Sequence, residues 1–73
     1  MILDLQNASH IIIGESKDTA GLIDIGLNEF EAYKIALKYK KQGYFNIKVV
    51  QNNSDGLQQA SDLMQNYIKK KWP

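Results

Sequence analysis

The chain contains no cysteine and no arginine, and it has a single proline, a single histidine and a single tryptophan. Without cysteine, disulfide bonds and thiolate metal sites are excluded. A structural zinc site would have to take most of its ligands from carboxylates, which is rare, so we expect no metal and no cofactor. Of the devices that usually stabilise small domains, association with another chain is the one that remains.

All nine cationic side chains are lysines, and with eight acidic residues they leave a formal net charge of +1. This balance is not typical of strongly basic nucleic-acid binders or of acidic polyanion mimics. Arginine is the side chain best suited to bidentate recognition of phosphate and guanine, so its absence further disfavours specific nucleic-acid recognition. The abundance of Ile, Asn, Lys and Tyr, whose codons are AT-rich, indicates a low-GC bacterium or one of its phages.

No apolar run approaches the roughly 20 residues that span a bilayer. The N-terminus, Met1-Ile2-Leu3-Asp4-Leu5, has neither the basic start nor the small-residue cleavage site of a signal peptide. We therefore expect a cytoplasmic protein without a membrane partner. A length of 73 residues supports one small core, so we expect a single domain over residues 1–73.

Hydrophobic patterning predicts three strands and two helices. The β-branched runs within residues 10–26 predict a β-hairpin, and alternation over residues 44–50 predicts a further strand. Weak alternation over residues 1–5 predicts a short edge strand. Helical spacing predicts helices over residues 28–42 and 54–71.

The first predicted helix carries a signal at each end. Asn28 is a good N-cap, and Gly43 suits the left-handed position that follows a helix. Ala32 and Ala36 lie in the broad apolar arc of the first helix, where small residues permit a close approach to a sheet. We expect the large apolar side chains of the two helices to close the core. These are Phe30, Tyr33, Leu37, Leu57, Met64 and Tyr67.

The order ββαβα predicts a small α+β or α/β fold with a three- to four-stranded sheet. If the strand after the first helix is parallel to the strand before it, both amphipathic helices pack on one face of the sheet. The other face then has no helix over it. With Ile11 and Ile13 beneath the helices, the residues expected on that open face are Ile12, Leu22, Asp24, Lys48 and Val50.

The open face is our candidate partner-binding surface, because parallel and mixed sheets normally bury both faces. An exposed edge strand offers a second route, in which a partner adds a strand to the sheet. The alternative is that the face is ordinary surface, since much of any protein surface is apolar.

Lysines concentrate in the last turn of each predicted helix. If the helices are parallel, these lysines and Trp72 meet at one end of the molecule, which could bind phosphates or an acidic partner. The alternative is that helix C-termini favour lysine through the helix dipole. The residues of this lysine-rich end are Lys38, Lys40, Lys41, Lys69, Lys70, Lys71 and Trp72.

No catalytic residues and no small-molecule site are predicted. His10 has no partner at a spacing typical of acid–base catalysis, and the glycines do not form a phosphate loop. We expect a small non-enzymatic binding module that acts through protein–protein contact, as a homodimer or as a regulatory or host-interaction protein of a phage or low-GC bacterium. The alternative is a weak, non-specific nucleic-acid binder that uses the lysine-rich end.

Overall fold

A computed structural model describes residues 5–71, except for the side chain of Leu5. The chain has the order ββαβα and forms a small α+β fold, as predicted. A 3-10 turn at Leu5–Asn7 precedes the first strand, and the edge strand predicted for residues 1–5 lies outside the described residues apart from Leu5. The strands are β1 (His10–Glu15), β2 (Ala20–Gly26) and β3 (Phe45–Gln51), and the helices are α1 (Glu29–Lys41) and α2 (Ser54–Lys71).

The sheet has three antiparallel strands in the order β2-β1-β3. The predicted hairpin joins β1 to β2, and the Ser16 amide closes its turn by donating to the Thr19 carbonyl at 2.8 Å. On the other side of β1, Ile11 lies opposite Val50. Because both outer strands run antiparallel to β1, they are parallel to each other and are separated by it.

The ends of α1 follow from local sequence. The Asn28 side chain accepts a hydrogen bond from the Glu31 amide at 2.9 Å, which satisfies one of the free N–H groups of the first turn. At the other end Gly43 takes a positive φ of 103°. The amides of Gly43 and Tyr44 then donate to the carbonyls of Lys40 and Tyr39, which ends the helix.

A short connection leads from β3 into α2. The Asn53 side chain accepts a hydrogen bond from the Gly56 amide at 2.9 Å, so Asn53 is the N-cap. Gly56 lies under the end of β3, and a Cβ there would be 2.0 Å from the Gln51 carbonyl oxygen. The tight connection therefore requires both the capping asparagine and the glycine.

The two helices pack on opposite faces of the sheet, so the prediction that they share one face is wrong. Ile12 lies opposite both Asp24 and Val49, and residues directly opposite each other point to the same face. Tyr39 of α1 donates a hydrogen bond to Asp24 Oδ2 at 2.8 Å, so α1 covers this face.

The other face belongs to α2. Ile11 and Ile13 form a buried cluster with Ala60 of α2, and Leu22, Ile25, Val50 and Leu63 pack around it. Because side chains alternate along a strand, Ile11 and Ile13 point away from Ile12. Three consecutive isoleucines thus make β1 apolar on both faces, and each face requires a helix.

A β-bulge in β2 and the register of β3 divide the five residues predicted for one open face between the two faces of the sheet. Ile12 lies opposite Asp24 but Ile13 lies opposite Leu22, so Ile23 is the extra residue of the bulge. The bulge places Asp24 beneath α1 and leaves Leu22 beneath α2. Val50 and Lys48 share the face of α2, because they lie opposite Ile11 and Ile13.

α1 approaches the sheet closely at Gly26. A Cβ built on Gly26 would lie 2.7 Å from both Cα and Cβ of Ala32, which is fully buried. The small residues of α1 were expected to permit this approach, and the structure confirms it for Ala32. The pair Gly26–Ala32 therefore sets the distance between α1 and the sheet.

We expect Gly26→Ala to destabilise the fold by about 1–3 kcal/mol, because the added methyl group overpacks against the α1 backbone. Urea denaturation measures the change. Gly43→Asn is the control, since no atom lies within 4 Å of a Cβ at Gly43 and asparagine tolerates positive φ. An equal loss of stability in both variants would show that backbone conformation, and not the contact with Ala32, restricts residue 26 to glycine.

Candidate protein-binding surface

β3 is the least covered strand of the sheet. None of its seven residues is buried, whereas every residue of β2 is buried or half-buried. Three paired strands are about 14 Å wide, and one helix with a diameter of about 10 Å cannot cover them completely. Within residues 5–71 no strand lies beyond β3, so its outer edge presents unpaired backbone groups.

A stripe of exposed apolar side chains runs along α1. Phe30 is 70% exposed, Tyr33 is 55% exposed and Leu37 is 58% exposed. Their spacing of three and four residues places them on one side of the helix. Lys34 extends beside the stripe, with its Nζ atom 5.3 Å from the centre of the Phe30 ring.

A groove of about 270 Å³ lies between two residues of this stripe, Tyr33 and Leu37, and β3. The stripe therefore faces the least covered strand, and together they form one continuous apolar surface, which we call the α1–β3 surface. We define it by Phe30, Tyr33, Leu37, Ile47 and Val49. The groove is lined by Tyr33, Ala36, Leu37, Lys40, Ile47 and Val49.

This arrangement corrects the expectation that the large side chains of the helices close the core. The sheet-facing side of α1 carries Ala32, which is buried, and Tyr39, which is half-buried. The broad apolar arc of α1 is wider than one sheet face requires, so its far flank is left in solvent. That excess width is the sequence feature that indicates a second contact surface on α1 besides the sheet.

A second, smaller apolar stripe lies on α2. Leu57, Met64 and Ile68 are each 43–46% exposed, and α2 packs mainly over β2 and β1. Met64 lies near Gly21 of β2, so this stripe is at the β2 side of the sheet. Of the six residues predicted to close the core, only Tyr67 is not among the exposed ones, and its hydroxyl donates to the Lys17 carbonyl at 3.1 Å.

The five residues predicted for an open sheet face do not form one exposed surface. Ile12 is fully buried beneath α1, and Asp24 is held by α1 through Tyr39. Leu22 and Val50 pack against the cluster beneath α2. Lys48 is exposed and lines a separate groove of about 560 Å³ between β3 and α2, whose walls include Asn46, Asp62 and Asn66.

The Tyr39–Asp24 pair is the main electrostatic feature under α1. The hydrogen bond to Asp24, then partial burial, then the negative charge of Asp24 raise the pKa of Tyr39 above the ordinary value of 10.0. Asp24 also accepts the Ile25 amide at 2.7 Å, so both carboxylate oxygens are engaged. The Tyr39 ring meets Tyr44 edge-on, with centroids 5.0 Å apart. The pair anchors α1 and offers no free acid or base.

The two lysine clusters lie at the same end of the sheet but on opposite faces. α1 ends where β3 begins, and Tyr67, near the end of α2, bonds to the β1–β2 turn at that same end. Lys38, Lys40 and Lys41 therefore lie on the helix that covers one face, and Lys69, Lys70 and Lys71 lie on the helix that covers the other. Trp72 lies outside the described residues, and anion binding at this end stays a prediction.

One pair of polar side chains could suggest acid–base chemistry. Ser9 Oγ lies 2.7 Å from His10 Nδ1, and Glu29 Oε2 lies 4.0 Å from His10 Nε2. The distance from Glu29 to His10 is too long for a hydrogen bond, and the Glu29 side chain is mostly exposed. A nucleophile and base need an orienting third group and a site for the reacting atom, so we assign this pair no catalytic role.

Within the described residues, no three His, Asp or Glu side chains are grouped so that they could hold a metal ion. In the same part of the chain, neither helix combines the length and apolarity needed to cross a membrane. The chain matches no protein-family model, no curated protein and no solved structure.

Truncation should distinguish core from surface. We expect Ile12→Ala to cost about 2–5 kcal/mol of unfolding free energy, because it removes a fully buried side chain between the sheet and α1. Leu37→Ala should change the stability of the dilute chain by less than about 0.5 kcal/mol. Chemical denaturation at low protein concentration measures both, and a large loss for Leu37→Ala would show that the stripe belongs to the core.

We expect Tyr39→Phe to cost about 1–2 kcal/mol at neutral pH, since a hydrogen bond to a charged acceptor is lost. The raised pKa means that folding favours the neutral phenol. The contribution of the Tyr39–Asp24 hydrogen bond to the free energy of unfolding is therefore complete below pH 10. It declines as the pH rises through the pKa of Tyr39 in the folded protein. Urea denaturation at several pH values should show the difference between wild type and variant shrinking above pH 10. A constant difference would contradict the assigned role of Asp24.

Proposed function

We propose that the protein is a small non-enzymatic module that binds another protein chain through the α1–β3 surface. One observation carries the proposal. The exposed apolar stripe of α1 and the least covered strand, β3, are adjacent and share a groove. Exposed apolar residues scattered singly are ordinary, but a contiguous patch beside a free strand edge is typical of an interaction surface.

The two parts of the surface supply different kinds of binding energy. The edge of β3 offers backbone donors and acceptors to a strand of a partner, and the stripe offers apolar area. Taking about 200 Å² for an aromatic side chain, the stripe and Val49 present on the order of 400 Å². Charged side chains surround this apolar centre, as at many protein interfaces. The charged residues are Glu29, Lys34, Lys38 and Lys40.

Composition supports a cellular setting for this module. A chain without cysteine needs no oxidising compartment, and we place it in the cytoplasm. The codon bias inferred from its residues supports a regulatory or host-interaction protein of a low-GC bacterium or phage. In either setting the protein would act by occupying a partner and not by turning over a substrate.

Site-specific photo-crosslinking in cells that express the chain tests the proposal. A photoreactive phenylalanine analogue at Leu37 should give a discrete covalent adduct with one protein, since this position is exposed and lines the groove of the surface. Adding Tyr33→Glu to the same chain should abolish the adduct, because a charge in the groove disrupts an apolar contact. Mass spectrometry identifies the product.

The matched control carries the analogue at Ile68, an exposed apolar residue of α2 at the opposite side of the sheet. We expect no adduct there, or one that Tyr33→Glu does not affect. Absence of any adduct at residue 37, or adducts that are the same at residues 37 and 68, would contradict binding through the α1–β3 surface.

A further inference from the structure

We infer that the chain bound at the α1–β3 surface is a second copy of this protein. The two copies pair through β3 and are related by a two-fold axis at Val49. The inference rests on the proposed function, because it names the partner of the same surface. Antiparallel pairing of the two β3 edges would make one continuous six-stranded sheet. A two-fold axis perpendicular to that sheet keeps the two α1 helices on one face, where their apolar stripes meet.

The backbone of β3 selects the register. Asn46 has a positive φ of 54°, and the pairing with β1 shifts between Ile13 and Glu15, so β3 is irregular at its start. The regular run is 47–51. This run pairs completely with its copy only when the axis lies at its central residue, Val49.

Charge along β3 favours the same register. An axis at Lys48 would place two lysines directly opposite each other, which is unfavourable. With the axis at Val49, Lys48 lies opposite the partner's Val50. Ile47 then lies opposite the partner's Gln51, so no like charges face each other across the new strand pair.

The helix gives an independent measure of the axis position. Glu29 lies at the level of Gln51, because it is 4.0 Å from His10, which pairs with Gln51. Lys40 lies at the level of Ile47, with which it lines the groove. Val49 is midway between these two levels. The axis selected by the strand therefore places Glu29 opposite the partner's Lys40, once on each side of the dimer.

This pattern is self-complementary. An acidic residue at one end of the stripe and a basic residue at the other match when a second α1 lies antiparallel to the first. The apolar area of about 400 Å² per chain is below the roughly 800 Å² of a standard interface, although the strand edge adds to it. We therefore expect a dimer of micromolar affinity and not a permanent one.

Light scattering and sedimentation over concentrations from about 1 μM to about 1 mM provide the first test. The mass should rise from 8.3 kDa towards twice that value. Leu37→Glu should weaken association by at least about tenfold, because it buries a charge in the apolar contact. Ile68→Glu, a matched change on α2, should not. A mass of 8.3 kDa throughout, or equal effects of the two variants, would overturn the inference.

Charge exchange tests the relative orientation of the two copies. Glu29→Lys and Lys40→Glu should each weaken association by roughly tenfold, since each creates two like-charge contacts in the dimer. The double variant Glu29→Lys/Lys40→Glu should restore wild-type association, because both pairs are re-formed with exchanged signs. Circular dichroism checks that each variant is folded. Additive weakening in the double variant would contradict the antiparallel arrangement.

The absence of cysteine makes disulfide trapping a direct test of the register. Val49→Cys places two Cα atoms about 4.5–5.5 Å apart across the axis, within disulfide range, so oxidation should give a covalent dimer rapidly. Lys48→Cys is the control, because its two copies are diagonal and about 7–8 Å apart. Faster oxidation of Lys48→Cys, or none in Val49→Cys, would contradict the axis at Val49.

These outcomes separate the inference from the function on which it rests. If the protein is a monomer in every solution experiment but residue 37 gives a specific adduct with another protein, the dimer is contradicted and the binding module is supported. If the protein is a monomer and residue 37 gives no adduct, both the dimer and the binding module are contradicted. An adduct of twice the chain mass at residue 37 supports both.

Discussion

The fold depends on the burial of three consecutive isoleucines in the central strand. Ile11 and Ile12 are completely inaccessible to solvent and Ile13 is nearly so. Burying an isoleucine side chain contributes about 1.5–3 kcal/mol, a large share of the stability available to a chain of this size. Because neighbouring side chains of a strand point to opposite faces, this burial requires a cover on each side. One helix is therefore placed on each face.

Covering both faces of a three-stranded sheet with one helix each leaves part of the sheet open. α2 packs mainly over β2 and β1, and Gly26–Ala32 holds α1 close to the sheet. Neither helix then covers β3 completely, and none of the residues of β3 is buried. With α1 held in this position, Tyr33 and Leu37 line the groove beside β3, and Phe30 is exposed. The candidate binding surface is thus a consequence of how the core was closed.

Local features of the chain were accessible from sequence, while the candidate site was not. The strand and helix positions, the Asn28 cap and the left-handed Gly43 depend on interactions within a few residues, and the structure agrees with them. The open face built around Ile12 was wrong because it assumed both helices on one side and a strand without a bulge. The extra residue at Ile23 reverses the alternation of side chains, and no pattern within β2 alone reveals it.

The sequence by itself determined the order ββαβα, the ends of the helices and the two-sided apolar character of β1. Each of these depends on periodicity or on a cap, and both act over short distances. Only the tertiary structure decided that β1 is central, that the helices lie on opposite faces and that the apolar flank of α1 meets the free edge of β3. These features depend on strand pairing and on the Gly26–Ala32 contact, which join residues far apart in the chain. The surface on which we base the function therefore exists only in the folded protein.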